Sequence, residues 1–180
     1  MDTALITIAT ALLTAGAALA GVYLTNRENS KRLKLQLDHE SEKKHRDLQR
    51  KMAEELYELT DEWLSGLFVK YINLSSVMKG EMNYNQYHDQ LIEYGNKSKS
   101  KFVRLEMIIS IYFPELTTAY EKVIEMRGVV NDISIKHKHA YEKGDIDGER
   151  FLKPYTNAHL ELEEYGDKLK EEIAQCARNA

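Results

Sequence analysis

The sequence predicts an all-α chain: an N-terminal transmembrane helix continuing into an up-and-down four-helix cytosolic bundle. Three observations carry this expectation. The 180 residues include only two prolines and nine glycines, few enough for long uninterrupted helices. Apolar residues recur at gaps of three and four along most of the chain, and no useful stretch alternates with the period of two that a half-buried strand requires. Residues 3–25 carry no charge at all.

Three regions follow in chain order: a transmembrane helix over 1–26, a charged helical stalk over 27–51 and a cytosolic helical bundle over 48–180. As a helix, residues 3–25 would be about 34 Å long, enough for a hydrocarbon core of roughly 30 Å. A cleaved signal peptide is the rival reading, with Ala18-Leu19-Ala20 as its cleavage site. Against it, Asp2 replaces the usual basic n-region, and the apolar stretch exceeds a signal core. Arg27, Lys31, Arg32 and Lys34 follow directly, which predicts a cytoplasmic bundle by the positive-inside rule. The expected location is a bacterial inner membrane, crossed once.

The stalk, 27–51, holds nine Lys or Arg against five Asp or Glu, leaving 52–180 with a net −7. That acidity argues against general nucleic-acid binding through the bundle surface. The alternating signs in KKHRDLQRK, 43–51, read as a solvated helix face, close enough to the membrane to be drawn to anionic lipid. From Leu48 an apolar stripe runs through Met52, Leu56, Leu59, Trp63, Leu67, Tyr71, Leu74 and Met78. A turn is expected at 80–85. A second helix follows over 86–113, with Leu91, Phe102, Leu105 and Ile109 inward. Pro114 suits the first turn of a third helix, which carries Tyr120, Val123, Val130 and Ile133 to about Lys143. Residues 144–148 form the next turn, with Asp147 as a helix cap. The last helix holds Phe151, Tyr155, Leu162, Leu169 and Ile173, and Pro154 would mark its start. Short turns between long helices give antiparallel neighbours.

Thr3, Thr7, Thr10, Thr14, Ala17 and Gly21 fall on one face of the N-terminal helix at ~100° per residue. Leu5, Ile8, Leu12, Leu19 and Tyr23 lie on the other. Hydroxyls bonding back to carbonyls four residues earlier would leave that sidedness without meaning. Small and hydroxylated residues are also what lets spans pack closely. In a ring of copies the same face would line a narrow wet path, with Arg27, Lys31 and Arg32 around its cytoplasmic mouth. The last two readings make the chain a homo-oligomer, with itself and the lipid bilayer as partners.

Other constellations are weaker. Lys136-His137-Lys138-His139 reads as cationic groups near a helix C-terminus, and no metal site is expected. Cys176 is the single cysteine, so no intrachain disulfide can form. No phosphate loop, nucleophile elbow or cofactor motif occurs, so neither a cofactor nor a small-molecule substrate is evident. Small helical-bundle ribonucleases use an Arg followed four to six residues later by a His. The Arg holds the phosphate and the His moves the proton. Counted as four to six residues lying between the two, only Arg32 and His39 match, in the stalk. The bundle offers the wider pairs Arg127 with His137 and Arg150 with His159 as catalytic candidates.

In its length, single N-terminal apolar stretch and helical cytosolic part, the chain resembles the small membrane accessory proteins that accompany RNA-targeting type VI-B CRISPR effectors. The resemblance covers the whole architecture. It implies a HEPN-like bundle and a ring-shaped pore that depolarises the inner membrane. Such a pore strengthens RNA-guided antiviral interference, with the effector or its RNA as a further partner. The alternatives are a membrane-tethered HEPN-like ribonuclease and a single-span adaptor that recruits a cytosolic partner.

Overall fold

The computed structural model describes residues 2–95 and 99–180, with the side chains of 2, 4–7, 9, 11, 12, 20, 92–95, 99 and 100 outside the described set. The described residues form five α-helices and no strand: α1 (Asp2–Met78), α2 (Tyr84–Gly95), α3 (Lys99–Tyr112), α4 (Thr117–Glu142) and α5 (Glu149–Asn179). The chain divides into two compact units, Met1–Asp47 and Leu48–Ala180.

In the first unit every described side chain from 3 to 47 is exposed. Among the described residues no helix is long and apolar enough to cross a membrane, so these residues do not by themselves supply the expected span. Much of what is described between 3 and 25 is Thr, Ala and Gly, which lowers its hydropathy. Leu5, Ile6, Thr7 and Leu12, on which that expectation leaned, have side chains outside the described set.

The second unit is a helical bundle built on the stripe of α1. Met52, Ala53, Leu56, Leu74, Val77 and Met78 are buried there, as are Leu105, Ile108 and Ile109 of α3, Val123 of α4, and Leu162, Leu169 and Ile173 of α5. Ion pairs fasten the outer edges: Lys101 to Glu62 and Arg104 to Glu55 join α3 to α1. Lys170 of α5 reaches Asp61 of α1 at 3.2 Å. The Arg104 guanidinium, hydrogen-bonded to Glu55, holds that carboxyl below the usual carboxylate range. Ile173 is wholly enclosed. Ile173→Val removes one methylene from this core and should cost ~1 kcal/mol, read as a lower urea midpoint with unchanged slope.

The turns follow from glycine chemistry. Gly80 and Gly144 take positive φ, +73° and +89°, the left-handed conformation that glycine adopts without a Cβ penalty. After Gly80, the Glu81 N–H donates to Ser76 O at 2.9 Å. After Gly144, the Asp145 N–H donates to Ala140 O at 3.1 Å. Both are Schellman closures, which satisfy carbonyls that a helix end would otherwise orphan. The next helix then starts on its own signal. Asn83 Oδ1 accepts the Gln86 N–H and Gln86 Oε1 accepts the Asn83 N–H, each at 3.0 Å. This is a capping box, and it sets the start of α2 two residues before the expected Gln86.

Three expectations change in detail. The helix expected over 86–113 is found as α2 and α3, on either side of residues 96–98, which lie outside the described set. Pro114 opens a short 3-10 turn, Pro114–Leu116, before α4. Pro154 does not start α5, which begins at Glu149. It sits in the second turn at an exposed position, where it forfeits one backbone donor. The start is shaped instead by Asp147, whose Oδ1 accepts the Glu149 N–H at 3.1 Å.

Candidate functional site

Thr3, Thr10, Thr14, Ala17 and Gly21 are exposed on α1, and the side chain of Thr7 lies outside the described set. Thr14 donates its hydroxyl to Thr10 O at 2.8 Å. That is the i−4 back-bonding open to any helical threonine. A Cβ at Gly21 would meet nothing within 4 Å. Ile8, Leu13, Leu19, Val22, Tyr23 and Leu24 are also exposed, Leu13 at 76% and Leu19 at 72%. Of the three basic residues at the expected mouth, Lys31 pairs with Glu28 at 3.0 Å. Arg27 and Arg32 are exposed.

The catalytic candidates do not assemble as Arg–His pairs. Arg127 and His137 lie ten residues apart on α4, and Arg150 and His159 nine apart on α5. At ~1.5 Å and ~100° per residue, the members of each pair sit well over 10 Å apart along one axis. Arg127 instead lies over aromatic rings, its guanidinium 5.3 Å from the Phe102 centroid and 5.9 Å from Trp63. Arg150 is paired with Asp145 and stands over Phe151.

The four-residue basic tract divides by helical phase. Lys136, Lys138 and His139 are exposed, while His137 continues the Val130–Ile133 stripe inward and is fully buried. Its Nδ1 lies 2.8 Å from the Tyr84 hydroxyl, and its ring packs edge-on against Phe151 at 5.3 Å. Burial lowers the His137 pKa, the Arg150 charge lowers it further, and Asp145 opposes both. Burial also raises Tyr84, so the phenol and the imidazole meet as neutral groups. His137 Nε2 is buried with no hydrogen-bond partner among the described residues. The chain reversal passes directly over it: a Cβ at Gly148 would lie 2.8 Å from Nε2 and 2.5 Å from Met78 O. His137 is therefore a packed tether between α2 and α4, without access to a phosphate.

His159, 5% exposed, is the second buried imidazole. Its ring stacks on Tyr71 with centroids 4.0 Å apart and planes 1° from parallel. Both ring nitrogens are buried without a hydrogen-bond partner among the described residues. Burial lowers its pKa, against a smaller upward pull from Glu163. It lines a cleft of about 300 Å³ between α1 and α5. Among the described residues no group of three or more His, Cys, Asp or Glu is placed to hold a metal ion.

Neither a family model, nor a curated protein, nor a solved structure matches the chain.

Proposed function

We propose that the chain is a single-span membrane protein whose N-terminal helices assemble with their Thr faces together. The homo-oligomer encloses an ion path, and the helical bundle serves as its cytoplasmic scaffold. The observation that carries this reading is the uncharged stretch 3–25, whose described bulky side chains, from Ile8 to Leu24, are all exposed. Each such side chain gains ~1.5–3 kcal/mol when removed from water. A bilayer covers the bulky flank, and copies of the chain cover Thr3, Thr7, Thr10, Thr14, Ala17 and Gly21. Arg27, Lys31 and Arg32 follow at the depth where cationic side chains meet headgroups.

In this reading the protein acts like the accessory pores it resembles. It lowers the inner-membrane potential during antiviral defence, and an RNA-guided effector or its RNA is the triggering partner. Thr10→Leu replaces a small hydroxylated position with a bulky aliphatic one on the packing face. The chain should resist carbonate extraction, run as a ring of several copies by native mass spectrometry in mild detergent, and release ions from liposomes. Thr10→Leu should abolish the release and leave membrane insertion intact. A carbonate-soluble chain, or a monomer in detergent, refutes the assignment.

A further inference from the structure

Residues 26–47 continue the helix that carries the Thr face, and every side chain among them is exposed. Their charges are not spread evenly around it. At ~100° per residue, the residues within roughly 40° of the Thr3 direction are Glu28, Arg32, Leu35, His39, Lys43 and Arg46. The other acids of this stretch, Asp38, Glu40, Glu42 and Asp47, fall about 60° or more away. Arg27 and Lys34 point to the far side, ~120° and ~140° from the same line.

The acid on the line is already matched. Lys31 donates to Glu28 at 3.0 Å from the neighbouring flank, and Lys44 pairs with Glu40 at 2.9 Å. His39 lies 3.9 Å from Glu42, an ion pair only when the ring is protonated. Arg32, Lys43 and Arg46 form no ion pair among the described residues. The line that leaves the Thr face therefore carries these cations uncompensated, with Lys43 about three turns, ~17 Å, beyond Arg32. Water alone does not call for such sorting, since interspersed signs keep a helix equally soluble.

We propose that the path selects small inorganic anions over cations, with Arg32, and beyond it Lys43 and Arg46, as the groups that select. The inference rests on the pore reading, in which the copies turn this line toward their common axis. Each level then holds one cation from every copy. Rings of Arg and Lys are how pores favour anions. A narrow opening with low-dielectric walls focuses their field, which concentrates counter-ions by ~10-fold or more and repels ions of like sign. The Thr stretch itself carries no charge, so the sign of the permeant ion is decided at Arg32.

The test uses the full chain in a phosphatidylcholine bilayer, where the lipid adds no net charge, with unequal KCl on the two sides. The current should reverse close to the chloride equilibrium potential, with a chloride-to-potassium permeability ratio of about ten or more. Arg32→Glu should abolish this preference or invert it, and Arg32→Gln should give an intermediate ratio. Lys34→Glu makes the same change of charge on the opposite flank and should leave the ratio as it was. Both positions are exposed, so circular dichroism should not change. A wild-type current that is unselective or favours potassium overturns the proposal and leaves the pore reading standing. Equal shifts from Arg32→Glu and Lys34→Glu do the same, because net charge and not the line would then decide. A chain that carries no current refutes the pore reading itself, and this inference with it.

Discussion

Gly148→Ala is expected to unfold or nearly unfold the bundle, at a cost of about 4 kcal/mol or more. The reason is purely steric. Gly148 has φ −91°, a conformation alanine adopts freely, so no backbone penalty enters. A Cβ there would lie 2.5 Å from Met78 O, 2.6 Å from Met78 Cα and 2.8 Å from His137 Nε2. Two of these atoms are backbone at the end of α1, and the third belongs to a ring held by Tyr84 and Phe151. None can swing aside alone. Relief requires the start of α5 to lift from α1, which also opens the Met78 and His137 packing. Gly166→Ala provides the internal comparison. Its Cβ would press first on the Leu64 side chain, with Cδ1 at 2.7 and Cδ2 at 2.9 Å, and a leucine can change rotamer. It should cost ~1–2 kcal/mol. Urea unfolding followed by circular dichroism separates the two; similar midpoints for both variants would refute the close-approach account.

Acid should destabilise the bundle well before carboxylates titrate in bulk. His137 and His159 both have pKa values lowered from 6.5, principally by burial. In the unfolded chain they protonate near that value, whereas the folded bundle refuses the proton. Their contribution is therefore complete above about pH 6.5 and is lost as pH falls from there toward the folded values. Linkage sets the slope at ~1.4 kcal/mol per pH unit for each histidine, or ~2.7 for the two together. The lowered Glu55 carboxyl adds a separate loss at more acidic pH, below the ordinary value of 4.5. Urea midpoints measured between pH 8 and 5 should be flat at first and then fall. His159→Phe, which keeps an aromatic ring against Tyr71, should roughly halve the slope below pH 6.5. Equal midpoints at pH 8 and pH 5 would show that neither ring is sealed from solvent.

Much of the bundle is legible in the sequence because helical periodicity is a local property. Leu56, Leu74, Leu105, Val123, Leu162, Leu169 and Ile173 all have apolar neighbours three or four residues away, and each is buried. The same rule held the key to His137. It lies four residues beyond Ile133, yet three charged or polar neighbours in the same tract masked its phase. The start of α2 was also legible, since Asn83 and Gln86 have the spacing of a capping box. What no local pattern reveals is approach between distant segments. Gly148 reads as an ordinary turn glycine, and only the arrival of Met78 beside it makes the missing side chain essential. The His159 cleft has the same origin. Tyr71 and His159 are far apart in sequence and meet face to face only when α5 packs on α1.

The bond between Tyr84 and His137 bears on how the bundle opens. Along α2 the described inward side chains, Tyr84, Tyr87 and Leu91, are only half-buried, and Tyr84 is the one hydrogen-bonded to an imidazole at the heart of α4. Within the bundle, a helix whose described inward side chains are only half-buried opens at lower free energy than the enclosed core, and the contact with Tyr84 acts as its latch. A proton taken up by the His137 ring places a charge in this enclosed contact. The segment should therefore undock first under acid, before the unit as a whole loses its structure.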